Sequence, residues 1–306
     1  MTYIITVLTE KTMQKVKLQH YVPRMYLKNF AFQRGKEYWT YCLDKYTLKQ
    51  FPVNIKKIGC EKYFYEGKAE KQIIEKELSN LENDFSKVCE KLIESRSLLS
   101  LDWKEKEKIA HFVDVQDIRT REYRENIRSL GKGVKKWLGD KSLSKNLDEQ
   151  LKTIDTKETT RSIHANLVTD TLSGKTGTTE MILNMKWILF ENLITIALWT
   201  SDQPTNRFNP IELNPFGNLG LKSQGIQIFF PLNPTLGILF CDPIEYFTSP
   251  NKVTCTKKHI IFNNTLQVRS STRHIFSKSN DFYLAKKWLK ENPDFINPKR
   301  KRIDVK

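Results

Sequence analysis

The sequence predicts an α+β protein, in which a long antiparallel helical hairpin packs with a mainly antiparallel β-sheet and an N-terminal β-hairpin. Two long stretches in the first half of the chain carry apolar residues at helical spacing, and four apolar, β-branched runs follow in the second half. Helices and strands that are segregated in this way are typical of the α+β class. With 306 residues and 39% hydrophobic content, the chain can bury a sizeable core without disulfides or metals.

A short helix and a hairpin are the first predicted elements. Pro23 suits the first turn of a helix, which we expect to run from residue 23 to about 31. The aromatic-rich runs KEYWTYCL and TLKQFPV then flank the short polar turn Asp44-Lys45-Tyr46. This arrangement predicts a β-hairpin.

The helical hairpin is predicted from residues 68–96 and from a second segment that begins at Asp102 and continues to about Leu130. In the first segment, apolar residues recur at alternating steps of four and three, which is the pattern of an amphipathic helix. The second segment has Asp102 as its N-cap and Glu105 three residues later, as in a capping box. Because the connection between them is short, the two helices should pack antiparallel.

The rest of the chain predicts a sheet and two closing helices. The glycines between 131 and 139 should break the second long helix, and the polar stretch 140–180 offers at most one further helix, around Ile163 to Leu172. The runs KWILF, ITIALWT, GIQIFFPL and TLGILFCD predict an antiparallel sheet. Helices near 260–275 and 282–290 complete the fold.

These elements divide the chain into three parts. They are an N-terminal extension (1–16), a single α+β domain (17–295) with a variable insertion near 132–180, and a basic tail (296–306).

The formal net charge of +16 predicts attraction to polyanions. Residues 11–36 contain seven lysines and arginines and no acid. The tail from Lys299 adds five cations against Asp304, and we interpret it as a solvated terminus rather than as an arm that contacts nucleic acid. The N-terminal basic segment is therefore the stronger indication of an anionic partner.

Motif patterns predict a cytoplasmic protein with no cofactor and no metal site. Five cysteines without a CxxC pair indicate neither a disulfide framework nor a zinc knuckle, which fits a reducing cytosol. The opening residues resemble neither a signal peptide nor a membrane span, so no membrane partner is expected. The sequence GKTGTT at 174–179 lacks the spacing of a phosphate-binding loop and is interpreted as a flexible loop.

Polar residues break the pattern of their element at three places, where functional residues tend to lie. The first is the segment from His20 to Arg24. A helix N-terminus offers free N–H groups and the positive end of a dipole, so an anion docked there could also meet Arg24, with His20 just outside the first turn. Alternatively, His20 and Arg24 only hydrogen-bond neighbouring loops.

The second place is the stretch from Gln116 to Thr120, where polar residues interrupt the apolar stripe of the long helix. Buried polar groups need partners, so Gln116, Arg119 and Thr120 either form a structural network, which we favour, or line a pocket. Three further arginines of this helix are expected to be solvated: Arg121, Arg124 and Arg128.

The third place is the sequence TSDQP at 200–204, at the end of an apolar run. Loops at strand ends commonly hold ligands, so Asp202 could orient His20 or accept from an arginine, and Ser201 could donate to a phosphate. The alternative is an Asx-turn, in which Asp202 caps its own backbone before Pro204.

Five stretches in this order resemble the prokaryotic family known as domain of unknown function 4238. They are QHYVPRMYLKNF, Gln116 to Thr120, TSDQP at 200–204, PLNP at 231–234, and the stretch from Asn264 to Gln267. The resemblance covers residues 17 to 278, without a match over 132–180. The family usually has Asn-Pro where this chain has Gln203-Pro204. Its members are mainly uncharacterised proteins of bacteria, archaea and phages.

By resemblance, the marked positions are His20, Pro23, Arg24, Gln116, Arg119, Ser201, Asp202, Pro204 and Asn264. Together with the basic segment, they suggest a protein directed at nucleic acid, RNA rather than DNA, or at a nucleotide. In the enzymatic hypothesis, a defence or mobile-element nuclease cleaves a phosphodiester without metal. His20 is its general acid or base, and Asp202 orients His20.

In the same hypothesis, Arg24 and Arg119 stabilise phosphate charge. Tyr21, Gln116, Ser201 and Asn264 complete the ligand-binding set. The alternative is a non-catalytic module that binds RNA or a phosphorylated ligand. A third hypothesis makes the motifs purely structural.

Overall fold

The fold joins a layer of helices to two β-sheets, which confirms the predicted α+β class. A computed structural model describes residues 17–65, 73–138, 149, 151–211, 218–300 and 302. The α-helices are α1 (Arg24–Lys28), α2 (Ile73–Ser95), α3 (Trp103–Ile118), α4 (Arg121–Leu138), α5 (Lys157–Leu172), α6 (Thr178–Leu183), α7 (Lys257–Ser270) and α8 (Tyr283–Glu291). No helix within these residues is long and apolar enough to cross a membrane. The predicted N-terminal extension 1–16 lies outside the described residues.

The strands form two five-stranded sheets and one two-stranded ribbon. They are β1 (Leu18–His20), β2 (Phe32–Arg34), β3 (Glu37–Asp44), β4 (Gln50–Asn54), β5 (Cys60–Lys62), β6 (Lys186–Glu191), β7 (Thr200–Ser201), β8 (Asn206–Phe208), β9 (Gln227–Asn233), β10 (Leu236–Cys241), β11 (Lys252–Thr254) and β12 (His274–Ser277).

The first sheet has the order β11-β6-β10-β9-β8 and is antiparallel except where β11 pairs with β6. The second has the order β2-β3-β12-β7, with β4 also paired to β3, and β1 pairs with β5 in the ribbon.

The predicted β-hairpin is confirmed, because β3 and β4 pair antiparallel from Trp39 opposite Asn54 to Leu43 opposite Gln50. Three of the four apolar runs form one sheet as predicted, but ITIALWT does not join them. Its last residue, Thr200, begins the short strand β7, which pairs with β12 in the other sheet. Two N–H groups in the rest of the run donate outside a strand ladder: Leu198 N donates to Pro234 O, and Trp199 N donates to the side chain of Asn264.

The helical hairpin is confirmed as α2 and α3. The Phe85 and Phe112 rings stack with centroids 3.7 Å apart, and Lys91 near the end of α2 pairs with Glu105 near the start of α3 at 2.7 Å. The capping box is also present: Glu105 N donates to Asp102 Oδ1 at 2.8 Å, and Asp102 N donates to Glu105 Oε2 at 2.9 Å.

The prediction of one continuous helix to about Leu130, broken by glycines after it, is wrong. The helix ends at Ile118, with Arg119 as its C-cap, and α4 then runs through both early glycines to Leu138. At the break, the Thr120 hydroxyl donates to Gln203 Oε1 and accepts from Tyr123 N. Gly131 instead permits close packing, since an added Cβ would lie 3.0 Å from Ile154 O.

The stretch 140–180 holds more helix than predicted. Its described residues include both α5 and the start of α6, so the limit of one helix is wrong. Buried His164 anchors α5, because its Nε2 lies 2.8 Å from Ile118 O at the end of α3. The loop at 174–179 is anchored where it enters α6: Thr178 and Thr179 donate to Asp114 Oδ2 at 2.6 and 2.8 Å.

The basic tail is not solvated at its described residues, which corrects our interpretation. Arg300 Nη2 and Arg302 Nε contact Glu122 Oε1 at 2.5 and 3.0 Å. Their side chains are only 11% and 7% exposed. These contacts with the buried Glu122 therefore hold the described part of the tail against the start of α4.

Candidate functional site

The motif that contains His20 is held against the end of α3 through its backbone. Gln116 Nε2 donates to Tyr21 O at 3.0 Å, and Arg119 Nη2 donates to His20 O at 2.6 Å. Two of the predicted site residues, Gln116 in α3 and its C-cap Arg119, thus fix the position of two others on the N-terminal segment. The structural network that we favoured for this stretch is present.

The same segment also contacts two later motifs through α1. Tyr26 Oη donates to Pro231 O at 2.8 Å and lies 2.8 Å from the Thr200 hydroxyl. Asn29 Nδ2 donates to Leu232 O at 3.1 Å. Motifs that lie up to about two hundred residues apart in the chain therefore meet at the boundary between the helices and the two sheets.

Ser201 and Asn264 use their side chains to tie α7 to this boundary. The Ser201 hydroxyl donates to Gln267 Oε1 at 2.6 Å, and Gln267 Nε2 donates to Pro204 O at 2.7 Å. Asn264 Nδ2 donates to Ala197 O at 2.9 Å. Both predicted ligand-binding side chains are buried within structural contacts.

Asp202 organises the backbone that begins β12. Its carboxylate is 1% exposed and accepts N–H groups from Thr272, Arg273 and His274 at 2.8, 2.8 and 2.9 Å. The carboxylate therefore does not cap its own backbone in an Asx-turn, as one alternative proposed. Within the described part of the chain, none of its hydrogen bonds is with His20, the residue that it was predicted to orient.

Tyr21, which follows His20 in the N-terminal segment, is buried against Phe64. Its side chain is 4% exposed, and its ring centroid is 5.0 Å from that of Phe64. Burial raises the pKa of the Tyr21 hydroxyl, and the nearby carboxylates of Asp202 and Glu61 raise it further. The hydroxyl therefore stays protonated and remains able to donate a hydrogen bond.

His20, Arg24 and Arg119 form what we call the His20 cluster. Burial lowers the pKa of the His20 imidazole to about 4, and the positive charges of Arg24 and Arg119 act in the same direction. The imidazole is therefore neutral at neutral pH. His20 and Arg119 are in direct contact, and Arg24, which is exposed at the surface, is near enough for its charge to lower the His20 pKa.

Two nitrogens of this cluster are buried without a hydrogen-bond partner among the described residues: His20 Nε2 and Arg119 Nη1. The rest of the Arg119 side chain, which is 1% exposed, is well satisfied, because Nε donates to Tyr65 Oη at 3.2 Å and Nη2 contacts Glu82 at 3.0 Å. Sequence patterns did not identify Tyr65 and Glu82, since nothing in their own elements sets them apart.

Carboxylate and thiolate ligands are not gathered anywhere in the described ranges. No three His, Cys, Asp or Glu side chains there lie close enough together to hold a metal ion.

A family model described as "Protein of unknown function (DUF4238)" matches residues 18–281 of the chain. The match contains every residue of the His20 cluster and all five motifs. No curated protein and no solved structure gives a significant match.

Proposed function

The chain belongs to the DUF4238 family, and we propose that it binds RNA or a nucleotide by placing a phosphate against the His20 cluster. The observation that carries the proposal is the buried Arg119 Nη1, a donor without a partner among the described residues, next to His20, whose imidazole also feels the charge of exposed Arg24. An unpaired buried donor is costly, so a ligand oxygen that accepts from Arg119 Nη1 gains more than a surface contact would.

The charge of the chain supports the same partner. The net charge is +16, and the described part of the acid-free segment, residues 17–36, contains both His20 and Arg24. Phosphate contacts provide most of the affinity of such surfaces for nucleic acid.

Binding explains the cluster better than cleavage does. A general base works best when its pKa lies near the working pH, whereas the His20 pKa is about 4. The Asp202 carboxylate, which was expected to orient His20, is already held by three backbone N–H groups. Phosphodiester cleavage by His20 stays a prediction, and the binding assay below also detects it.

Arg24→Ala is expected to weaken the binding of a fluorescent single-stranded RNA about 5- to 10-fold at low salt. It should also reduce the slope of log affinity against log salt by about 0.7, because one phosphate contact is lost. Fluorescence anisotropy between 50 and 300 mM salt measures both quantities. A DNA of the same sequence tests the preference for RNA, and a denaturing gel of each sample reveals any cleavage.

The matched control is Arg34→Ala, which removes one exposed arginine from the same basic segment at the end of β2. It should leave both affinity and slope within twofold of the parent protein. Equal losses in the two variants would mean that only net charge matters, and the cluster would not be the binding site. A second readout is the titration of His20 by NMR, since a bound phosphate should raise its pKa from about 4.

A further inference from the structure

A second basic site lies away from the His20 cluster, where α4 faces the N-terminus of α5. A cavity of 290 Å³ opens there. Five cationic side chains line it: Arg121, Arg124, Arg128, Lys157 and Arg161. The acids of the lining are Glu61 and Glu125, so five positive and two negative charges leave a net charge of +3.

The two acids are already associated with lining arginines. Glu61 Oε1 lies 3.0 Å from Arg121 Nη1, and Glu125 Oε2 lies 3.6 Å from Arg128 Nη1. The lining as a whole therefore keeps an excess of positive charge, to which Arg124 and Lys157 contribute. The prediction that the arginines of α4 are solvated is wrong for Arg124 and Arg128, which are half-buried, whereas the Arg121 side chain is 43% exposed.

Arg124 is fixed in place before any ligand binds. Its Nη2 donates to Phe64 O at 2.7 Å and contacts His164 Nδ1 at 3.0 Å. Its guanidinium lies 3.6 Å from the centre of the Phe64 ring, in a cation–π contact. A preorganised guanidinium loses little conformational entropy when an anion binds.

Thr160 provides an independent sign of a ligand. It lies in the first turn of α5, lines the cavity and is 2% exposed, yet its hydroxyl has no hydrogen-bond partner among the described residues. Threonine hydroxyls elsewhere in helices of this protein donate to the carbonyl four residues earlier, as Thr169 does to Ala165 and Thr171 to Leu167. The Thr160 hydroxyl is thus an unsatisfied buried polar group of a residue that lines the cavity.

We propose that this cavity binds a phosphomonoester, the terminal phosphate of either a free nucleotide or an RNA 5′ end. The cluster of cations, the N-terminus of a 16-residue helix and one buried hydroxyl donor all favour a small anion with two negative charges. The volume is at the low end for ligand pockets, which suits a single nucleotide. The assignment does not depend on the function of the His20 cluster.

Thr160→Val tests the proposal with little risk to the fold, because it replaces an unpaired buried hydroxyl with a methyl group of similar shape. Isothermal titration with AMP should show binding to the parent protein and about 10-fold weaker binding to the variant. Lys157→Ala, at an exposed position of the same wall, should weaken AMP binding by a similar factor. Adenosine, which lacks the phosphate, should not bind detectably.

Thr169→Val is the control on the same helix, since its hydroxyl is exposed and bonded to its own helix; it should bind AMP as the parent does. Arg34→Ala, which removes an exposed arginine of β2 outside the cavity lining, should also bind AMP as the parent does. RNAs with a 5′-phosphate or a 5′-hydroxyl distinguish an RNA end from a free nucleotide. Equal binding of AMP and adenosine, or unchanged AMP affinity in Thr160→Val, would overturn the proposal.

Discussion

Replacing Asp202 with alanine should lower the free energy of unfolding by about 3–5 kcal/mol. The buried carboxylate accepts three backbone N–H groups at the start of β12, from Thr272, Arg273 and His274. Alanine leaves all three donors without that acceptor, and each unsatisfied buried donor costs about 1–3 kcal/mol. Urea denaturation followed by circular dichroism measures the change, and the melting temperature should fall by roughly 10 °C.

Asp84→Ala is the matched control, because this side chain is 58% exposed and pairs with Lys108 at 3.4 Å on the surface. It should change stability by no more than about 0.5 kcal/mol. If the two variants prove equally stable, then the Asp202 carboxylate does not hold β12 in place. If Asp202→Ala is destabilised as expected, a loss of activity in that variant would not identify a catalytic group.

Elements whose causes are local could be predicted from the sequence. The amphipathic spacing of α2 and the capping box at Asp102 depend on residues within a few positions of one another, as does the β3–β4 hairpin. The capping box was confirmed down to its two hydrogen bonds. The predicted end of α2 at residue 96 lies one residue from the observed end at Ser95, while residues 68–72 of the prediction lie outside the described residues.

Features that depend on distant partners could not be predicted. The helix ends at Ile118 because Arg119 turns inward to Tyr65 and Glu82, which lie 54 and 37 residues earlier. The run ITIALWT fails to form a long strand because part of its backbone pairs with the side chain of Asn264, 65 residues later. The residues near Ile118 and within ITIALWT do not show that these distant partners exist, so the local sequence pattern could not predict either feature.

The candidate site shows the same contrast between features with local causes and features that depend on distant partners. The motifs indicated which polar residues were unusual, and the fold does bring Arg119 into contact with His20, whose pKa is also lowered by the charge of Arg24. However, Ser201 and Asn264 carry the same kind of signal and serve packing instead, since the sequence does not show whether a partner is a ligand or another part of the chain. The cavity at α5 was missed because the arginines of α4 were expected to be solvated, and the residues of α5 that face them lie in a stretch that matched no motif.

The parent protein should have a lower free energy of unfolding at pH 5 than at pH 7.5, and His164→Gln should reduce this difference by about 2 kcal/mol. Burial lowers the pKa of the folded His164 imidazole to about 3, and the adjacent charge of Arg124 acts in the same direction. In the unfolded chain the imidazole has the usual histidine pKa of 6.5, so between these two values the unfolded chain binds the extra proton. Its contribution to stability is therefore complete above pH 6.5 and is lost as the pH falls toward 3.

The protonated ring would also lose an interaction that the neutral ring makes. Arg124 Nη2 lies 3.0 Å from His164 Nδ1, which accepts only when it carries no proton, while Nε2 faces Ile118 O at 2.8 Å. Glutamine keeps an N–H group for Ile118 O but does not titrate. Unfolding free energies measured in urea from pH 7.5 to 5 should therefore fall less steeply in the variant.

His20→Gln provides a second, independent arm of this experiment. The folded His20 pKa of about 4 predicts a similar loss of about 2 kcal/mol over the same range. The two effects should add in the double variant if the imidazoles titrate independently. The range stops at pH 5 because ordinary carboxylates begin to titrate below it. If His164→Gln kept the full pH dependence of the parent protein, the buried imidazole would not be the group that makes the fold sensitive to acid.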